Sequence, residues 1–395
     1  MLGWELPPYN SGGLGVVSYE LSKSLAESGA TIDFIVPYDA EHDIDFMDIH
    51  PAHNLNPVEF REGFGAYASE QSAKYGTTVS DFDGLLHSTR VYAQAVADRI
   101  DQHEFDIIHV HDWLTLRAGI MAKMESGKPL IAHVHATQFD QAGGKRGNEA
   151  IHEIEAMGLG MADKILAVSQ LTKDTIVREY GIDPDKIDVV HNEIDPTSYM
   201  RVKDTNPYKA FEELKTSGYK VITYLGRVTV QKGLWSLLQA FAKVVEQEPK
   251  TILLIAGNGE QINELQELAA DLGISQNVVF SNSFVQGSKQ RWAYRVAELF
   301  VMPSVSEPFG LTALEAPLQY TPVMISKQSG VAEVLRNALI VDHWDINQMA
   351  NQMVACLRSE GLRTTLRVNS KREVMQMGWS RAATKVHASY RTVAA

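Results

Sequence analysis

Two glutamates flank a Pro-Phe-Gly turn in the last third of the chain, within the stretch Ser304-Val-Ser-Glu307-Pro-Phe-Gly-Leu-Thr-Ala-Leu-Glu315. Pro308 disfavours a helical conformation at Glu307, so Glu307 is predicted on a loop and Glu315 in the first turns of a helix. If both were helical they would lie roughly 12 Å apart along the axis. This exceeds the separation of about 5.5 Å between the two carboxylates of a retaining glycosidase. Each acid is therefore expected to hold a different part of one ligand.

Backbone N–H groups at the start of that helix would form an anion site between the two acids. Such a site suits a ligand that has hydroxyl groups at both ends and phosphate in the middle. A nucleotide sugar has this constitution. The alternative is a loop acid and a solvated helix acid, because this spacing of glutamates alone is common.

Two cations follow a predicted buried strand in the stretch Gly226-Arg227-Val-Thr-Val-Gln-Lys232-Gly233. A diphosphate that leaves a sugar gains charge as the glycosidic bond breaks, and fixed cations stabilise it. Surface cations on a loop are the alternative. Their position at a strand end, beside two glycines, favours the functional interpretation.

Two glycine-containing loops also follow predicted strands. Glycine lets the backbone approach a ligand closely, and the helix start after the first loop favours phosphate. Tight turns between strand and helix need glycine as well, so both loops have a structural alternative. The loops are Pro7-Pro-Tyr-Asn-Ser-Gly12-Gly13-Leu-Gly15 and Ala256-Gly257-Asn258-Gly259.

Two His-x-His pairs, His109/His111 and His133/His135, occur at strand spacing, which places the rings of each pair on one face. Barrel-fold zinc hydrolases use such a pair with further ligands downstream. No downstream ligand set stands out here, so we predict no metal site. His109 and His133 lie earlier in their strands and are predicted to be buried core residues.

The elements that position these residues alternate between short apolar runs and amphipathic stretches, which predicts βα units and parallel sheets. Ligands of such sheets bind beyond the carboxyl ends of the strands, where every motif above falls. The predicted strands are 31–36, 106–110, 130–134, 164–168 and 187–190 in the first half, and 221–225, 252–256, 278–280, 299–302, 323–326 and 339–341 in the second.

This pattern predicts an α/β protein with two doubly wound, Rossmann-like domains facing each other across a cleft. The first domain is expected over residues 1–195, a linker over 196–218, and the second domain over 219–375. The stretch Met1-Leu-Gly-Trp4 is expected to be the first, central strand of the first sheet. It is short, so either the true start lies upstream or the centre of this sheet is weakened.

Bulk composition narrows the function further. The chain of 395 residues has a formal charge of −13 and contains no Lys/Arg block, which argues against a nucleic-acid partner. The single cysteine, Cys356, excludes an internal disulfide and fits a reducing cytoplasm. No apolar run approaches the roughly 18 residues of a membrane span, and no signal peptide or strongly basic amphipathic helix is visible. We predict a cytoplasmic protein.

Together these motifs resemble those of the family 4 retaining glycosyltransferases, which have the GT-B fold. Their order and spacing match over nearly the whole chain, and the N-terminal half is most similar to glycogen and starch synthases. Two departures are visible. Asn10 replaces a lysine typical of those synthases, and Glu193 replaces the glycine of an Asn-Gly-Ile-Asp motif.

The resemblance implies a role for each motif. Catalysis would involve His135, Arg227, Lys232 and Glu307. The donor would contact Gly12, Gly13, Gly15, Gly226, Gly257, Asn258, Phe309, Gly310, Leu311, Thr312 and Glu315, with Glu315 on the ribose. The acceptor would contact His111, Asp112 and Trp113, beneath a mobile loop over residues 138–148. A final helix over 376–395 would cross back onto the first domain, with Trp379 and Tyr390 as packing anchors.

The predicted activity is transfer of a hexose from UDP- or ADP-hexose to a hydroxyl group of a saccharide or small-molecule acceptor, and glucose is the expected hexose. No cofactor is expected, because Arg227, Lys232 and helix dipoles supply positive potential. The alternatives are another GT-B enzyme, such as a sugar-nucleotide epimerase, and a carbohydrate-binding protein without turnover.

Overall fold

The structure is a computed structural model that describes residues 1–10, 12–52, 79–102, 104–200, 206–283 and 285–394. The chain divides into two compact units. The first contains 1–141, 145–192 and 379–395, and the second contains 142–144 and 193–378. Each unit has an α/β architecture with parallel strands.

The sheet of the first unit is parallel throughout its described strands. In chain order these are β1 Asp33–Val36, β2 Asp48–Pro51, β3 Ile108–His111, β4 Leu130–Val134, β5 Lys164–Ala167 and β6 Ile187–Val189. Strand β1 pairs with β2, and a separate ladder runs β3-β4-β5-β6. Leu2 joins the two by parallel bridges to Ile35 in β1 and Val110 in β3. The predicted central strand is therefore present as one bridging residue.

The helices of the first unit alternate with its strands. They are α1 Gly13–Glu27, α2 Val79–Ala97, α3 Trp113–Ser126, α4 Gln138–Gln141, α5 Glu149–Met161 and α6 Gln170–Tyr180, with 3-10 turns at Ile100–Gln102 and Pro184–Lys186. The last helix of the chain, Trp379–Val393, also belongs to this unit. It packs on α1 and β5, and Ser389 donates a hydrogen bond of 2.7 Å to Asp188.

The second unit contains a six-stranded parallel sheet of order β12-β11-β10-β7-β8-β9. Its strands are β7 Lys220–Leu225, β8 Thr251–Ala256, β9 Val278–Phe280, β10 Leu299–Met302, β11 Val323–Ser326 and β12 Leu339–Val341. Chain order reverses between β9 and β10, because β10 lies on the other side of β7. This reversal places the ends of β7 and β10 side by side, at the position where doubly wound sheets bind ligands.

The helices of this unit are α7 Pro196–Met200, α8 Lys209–Thr216, α9 Leu234–Gln247, α10 Ile262–Asp271, α11 Gly287–Arg295, α12 Thr312–Leu318, α13 Ile346–Arg358 and α14 Glu360–Val374. The last helix of the chain, Trp379–Val393, which belongs to the first unit, is labelled α15. The 3-10 turns are Val230–Lys232, Ser275–Asn277 and Gly330–Glu333. Helices α9, α10 and α13 bury their apolar faces on the sheet in one continuous core.

The eleven strands predicted from residue 31 onward are confirmed, with ends that differ by at most two residues, whereas the strand predicted at Met1–Trp4 is reduced to the bridges of Leu2. Strand β2 was not predicted, because Asp48-Ile-His-Pro51 has neither an apolar run nor a turn signal beside it. The segment predicted as a linker contains α7 and α8 and is part of the second unit. Across the described ranges, no helix combines the length and apolar character that crossing a membrane requires.

Candidate functional site

Lys232 and Glu307 form an ion pair at the carboxyl ends of β7 and β10. The Nζ atom of Lys232 lies 2.6 Å from Oε2 of Glu307, and the two side chains are only 15% and 12% exposed. The hydroxyl of Ser304 donates a further hydrogen bond of 3.1 Å to the same oxygen. Two motifs that are 75 residues apart in the chain thus meet in one charged pair.

Backbone hydrogen bonds hold the Glu307 loop against the loop that follows β11. The N–H of Glu307 donates to the carbonyl of Gln328 at 2.9 Å, and the N–H of Gly330 donates to the carbonyl of Glu307 at 2.9 Å. Gly310 has φ 104°, and a Cβ atom there would lie 2.6 Å from Cε of Met302. Only glycine fits this turn, which directs the chain from Glu307 into α12.

Arg227 lies on the same loop as Lys232 and is oriented by neighbouring polar groups. Its guanidinium donates to Oε1 of Gln231 at 3.4 Å, and the hydroxyl of Tyr224 donates to its backbone carbonyl. The structure therefore places both predicted cations on the loop at the end of β7, and Lys232 is paired to Glu307.

The glycine loops after β7 and β8 touch through their backbones. A Cβ atom on Gly257 would lie 1.8 Å from the carbonyl oxygen of Gly226. Val228 donates its N–H to the carbonyl of Asn258 at 2.9 Å, and the Asn258 side chain is exposed. Gly226, Gly257 and Asn258 thus form one edge next to Arg227.

Glu315 is buried in the first turn of α12, where side chains of α11 hold it. Its Oε2 accepts hydrogen bonds from Nε2 of Gln290 at 2.5 Å and from the hydroxyl of Tyr294 at 2.6 Å. Burial raises the pKa of the Glu315 carboxyl, while the bonds from Tyr294, Tyr199 and Gln290 oppose that rise. Sequence reasoning missed Gln290 and Tyr294, and their only signal is the spacing of four residues that places them on one helix face.

The other predicted donor contacts in this unit follow Glu307. Phe309 is buried, and its carbonyl accepts the N–H of Val331 at 2.8 Å. Leu311 is the N-cap residue of α12. The hydroxyl of Thr312 contacts Sδ of Met302 at 3.4 Å.

In the first unit, the predicted glycine loop leads into α1. Gly12 is the N-cap residue, and Gly13 and Gly15 are in the first turn of the helix. The amide of Asn10, which replaces the expected lysine, donates to the carbonyl of Gly12 at 2.9 Å. Asn10 therefore stabilises the turn at the helix start.

The two His-x-His pairs form a stack of four rings across β3 and β4. His111 lies opposite His133 in the ladder. One hydrogen bond links His111 Nδ1 to His135 Nε2 at 2.9 Å, and another links His109 Nε2 to His133 Nδ1 at 3.3 Å. His109 Nδ1 also contacts the hydroxyl of Tyr390, on α15, at 2.6 Å. His109 and His133 are buried, as predicted, and His135 is partly exposed.

Burial keeps this stack uncharged. It lowers the pKa of His133 to about 3 and holds the pKa values of His109, His111 and His135 well below their usual value, with neighbouring histidines adding to the effect. His135 is therefore neutral at physiological pH, and its ring can exchange hydrogen bonds with a sugar hydroxyl without carrying charge.

Three of these histidines are close enough together to hold a metal ion. One ring nitrogen each of His109, His111 and His133 lies within 4.8 Å of the others. The group is fully buried, and two of its members already bond to other side chains: His109 to Tyr390 and His111 to His135. The sequence-based expectation of no metal site remains a prediction.

Asp112 and Trp113 follow β3 directly. Trp113 is buried, with 2% exposure. Asp112 is half-buried and accepts the backbone N–H groups of His135 at 2.6 Å and Ala136 at 3.2 Å. Burial raises the pKa of the Asp112 carboxyl to about 7, against the effect of these two bonds. Nearby, burial raises the pKa of Glu155, which accepts hydrogen bonds from Tyr180 and from the N–H of Gln138, to about 8.

Comparison with known proteins supports one family. Residues 11–198 match the family model described as Glycosyltransferase Family 4, and residues 207–373 match the one described as Glycosyl transferases group 1. An uncharacterized glycosyltransferase of Methanocaldococcus jannaschii is 28% identical over 392 residues, which cover 95% of this chain and 93% of the relative. A D-inositol 3-phosphate glycosyltransferase of Salinispora arenicola is 27% identical, over 94% of this chain and 85% of the relative.

Solved structures share the fold over the whole chain. A sucrose-phosphate synthase from Thermosynechococcus elongatus superposes with a TM-score of 0.76 at 18% identity, covering 99% of this chain and 98% of that one. Anabaena HepE, solved in complex with UDP and glucose, gives a TM-score of 0.72 at 17% identity, with 99% of both chains covered. At these identities the likeness concerns the fold alone.

Proposed function

Because this chain belongs to the family 4 glycosyltransferases and has the GT-B fold, we propose that it transfers a hexosyl group from a nucleoside diphosphate sugar to an acceptor hydroxyl, with retention of the anomeric configuration. The Lys232–Glu307 ion pair carries the proposal. It brings a predicted phosphate-binding cation and a predicted sugar-facing acid together where two neighbouring strands end.

In the proposed mechanism, Arg227 and Lys232 stabilise the diphosphate as the bond between sugar C1 and phosphate oxygen breaks. The carboxylate of Glu307 stabilises the positive charge that develops on the sugar ring. The acceptor hydroxyl attacks C1 from the face that the diphosphate leaves and transfers its proton to the diphosphate. Glu315 holds the ribose, and neutral His135 hydrogen-bonds the transferred sugar.

The most useful donors to test are UDP-glucose and ADP-glucose, and the structural neighbour HepE was solved with UDP and glucose. The names of several similar proteins contain a phosphorylated polyol or sugar: D-inositol 3-phosphate, sucrose-phosphate and trehalose-6-phosphate. We therefore propose a small polyol or sugar as the acceptor, with phosphorylated acceptors as the first class to test.

The test is a matrix of donors and acceptors. UDP-glucose, ADP-glucose and GDP-mannose are each incubated with inositol 3-phosphate, fructose 6-phosphate, glucose 6-phosphate and their unphosphorylated counterparts. Release of nucleoside diphosphate identifies the active pair, and proton NMR of the fresh product shows the configuration at C1. We expect one donor to support turnover with retention.

Two results would overturn the proposal. Inversion at C1 would contradict the mechanism. Donor binding without release of nucleoside diphosphate, for every pair, would favour a carbohydrate-binding protein without turnover.

A further inference from the structure

Asp112 has a backbone conformation that is costly for any residue except glycine. Its φ is 58° and its ψ is 176°, in a region populated essentially by glycine alone. Only Asp112, Asn282 and Tyr320 combine a side chain with a positive φ among the residues that the structure describes. Residues held in such conformations cluster at functional sites, where the side chain is needed in one place.

The carboxylate of Asp112 ties the end of β3 to the end of β4. Its Oδ1 accepts the N–H of His135 at 2.6 Å and the N–H of Ala136 at 3.2 Å. Its own N–H donates to the carbonyl of His133 at 3.0 Å. These three hydrogen bonds, to residues 133, 135 and 136, leave the backbone at His135 little freedom.

The imidazole ring of His111 holds the His135 side chain in place. Nδ1 of His111 lies 2.9 Å from Nε2 of His135, and the two rings stack at 5.2 Å between centroids. The His111 ring is itself fixed by stacking on Phe34 and His109, and its backbone N–H donates to the hydroxyl of Thr115 at 2.9 Å. The His111–His135 bond contains one proton, so the tautomers of the two rings are set together.

We infer that Asp112 and His111 are positioning residues for His135 and do not bind the acceptor. The Asp112 carboxylate fixes the backbone turn that carries His135, and the His111 ring fixes the plane and tautomer of its imidazole. This role explains why the chain keeps an aspartate where glycine would be less strained. The inference rests on the proposed function, in which His135 contacts the transferred sugar.

A double-mutant cycle between Asp112 and His135 tests the inference. Asp112→Gly removes the carboxylate and fits the local φ, so the variant should fold and keep or increase its thermal stability. We expect kcat to fall on the order of 10- to 100-fold, with acceptor KM unchanged. In the His135→Ala background the same substitution should change kcat by no more than about twofold, because the group that it positions is absent.

Two further variants test how Asp112 and His111 position His135. Asp112→Asn keeps an oxygen that can accept both N–H groups and should restore much of the lost turnover. His111→Phe keeps the stacked ring and removes the nitrogen, so ¹⁵N NMR of the ring nitrogens should show that His135 loses its tautomer preference.

The outcomes separate the inference from the proposed function. A raised acceptor KM in Asp112→Gly, or losses that add fully in the His135→Ala background, would make Asp112 an acceptor contact and overturn the inference. If His135→Ala itself leaves turnover unchanged, the placement of His135 in the proposed mechanism fails instead.

Discussion

The contact between Lys232 and Glu307 joins two charges in a largely buried setting, at 2.6 Å. Removing one partner of such a pair leaves the other charge uncompensated, which costs more than the pair itself contributes. In the proposed mechanism, a substitution at Lys232 therefore acts on Glu307 as well as on the diphosphate. The guanidinium of Arg227, on the same loop, donates to Oε1 of Gln231.

Turnover is expected to depend on both cations. Arg227→Ala and Lys232→Ala should each lower kcat on the order of 10²-fold or more, as for the loss of a group that stabilises developing charge. Steady-state release of nucleoside diphosphate measures the effect. Lys243→Ala, an exposed cation on α9, is the control and should behave like the wild type. Normal turnover in both the Arg227 and the Lys232 variant would refute the assignment of these cations to the diphosphate.

The two glutamates should differ in the kinetic constant that they control. Glu307→Gln removes a charge that favours the transition state, so it should mainly lower kcat. Glu315→Gln weakens a contact that is made equally in the ground state, so it should mainly raise donor KM. Kinetics at saturating acceptor separate the two effects, and the opposite division would reverse the proposed orientation of the donor.

Tyr294→Phe provides a second probe of the ribose site. It removes one of the hydrogen bonds that hold Glu315 and should also raise donor KM, by less than Glu315→Gln does. An effect on kcat alone would contradict a role in ribose binding.

At the scale of elements, the edge that Gly226, Gly257 and Asn258 form, which we propose binds the donor, depends on how closely two loops approach. The loop after β8 packs its backbone on the loop after β7, with only hydrogen at the Gly257 Cα position. Arg227 follows Gly226 directly, so any displacement of the two loops also moves the cation. Stability and donor binding should therefore change together.

Gly257→Ala is expected to destabilise the protein by roughly 1–3 kcal/mol, as other overpacked sites do, and to weaken donor binding. Calorimetry and donor titration provide the two measurements. Gly361→Ala is the matched control, because it lies in helix α14, where a Cβ atom meets nothing closer than 4.0 Å. If Gly257→Ala matched this control, the close approach of the loops would not matter.

At the scale of the whole molecule, buried acids make folding stability depend on pH. The pKa of Asp112 is raised to about 7 and that of Glu155 to about 8, in both cases because burial disfavours the charged form. The unfolded chain ionises these groups near pH 4. Their contribution to stability is therefore complete below pH 4 and is lost as the pH rises through 7 to 8.

Glu155→Gln removes one of these titrations while keeping the shape of the side chain. We expect the variant to be more stable than the wild type at pH 9, by up to about 5 kcal/mol, and no more stable at pH 4. Thermal unfolding at both pH values measures the difference. Glu153→Gln, an exposed residue of the same helix, is the control and should show no such dependence. A gain that is equal at both pH values would contradict ionisation as the cause.

Activity is also expected to be independent of metal ions. The buried histidines of β3 and β4 are interpreted as core and positioning residues, so chelator treatment should leave turnover unchanged. Elemental analysis of the purified protein should find no stoichiometric zinc. One tightly bound metal per chain would instead assign His109, His111 and His133 to a metal site.

The sequence by itself determined eleven of the twelve described strands, the two α/β halves and the family. These depend on local patterns: apolar runs of strand length, and a proline directly after Glu307 that keeps this residue out of α12. Such signals lie within a few residues of each other, and neighbouring residues in the chain are enough to produce them. The same holds for the final helix, which is predicted over 376–395 and observed at Trp379–Val393.

Tertiary structure alone decided which side chains meet. Lys232 reaches Glu307 across 75 residues, and Tyr294 reaches Glu315 across 21. The order of strands in the sheet sets both contacts, because it places β10 beside β7 and α11 beside α12. Asp112 is the clearest case: its sequence motif resembles an acceptor contact, but the pairing of β3 with β4 places its carboxylate on the backbone of His135. Strand register, which local spacing does not specify, determines that distance.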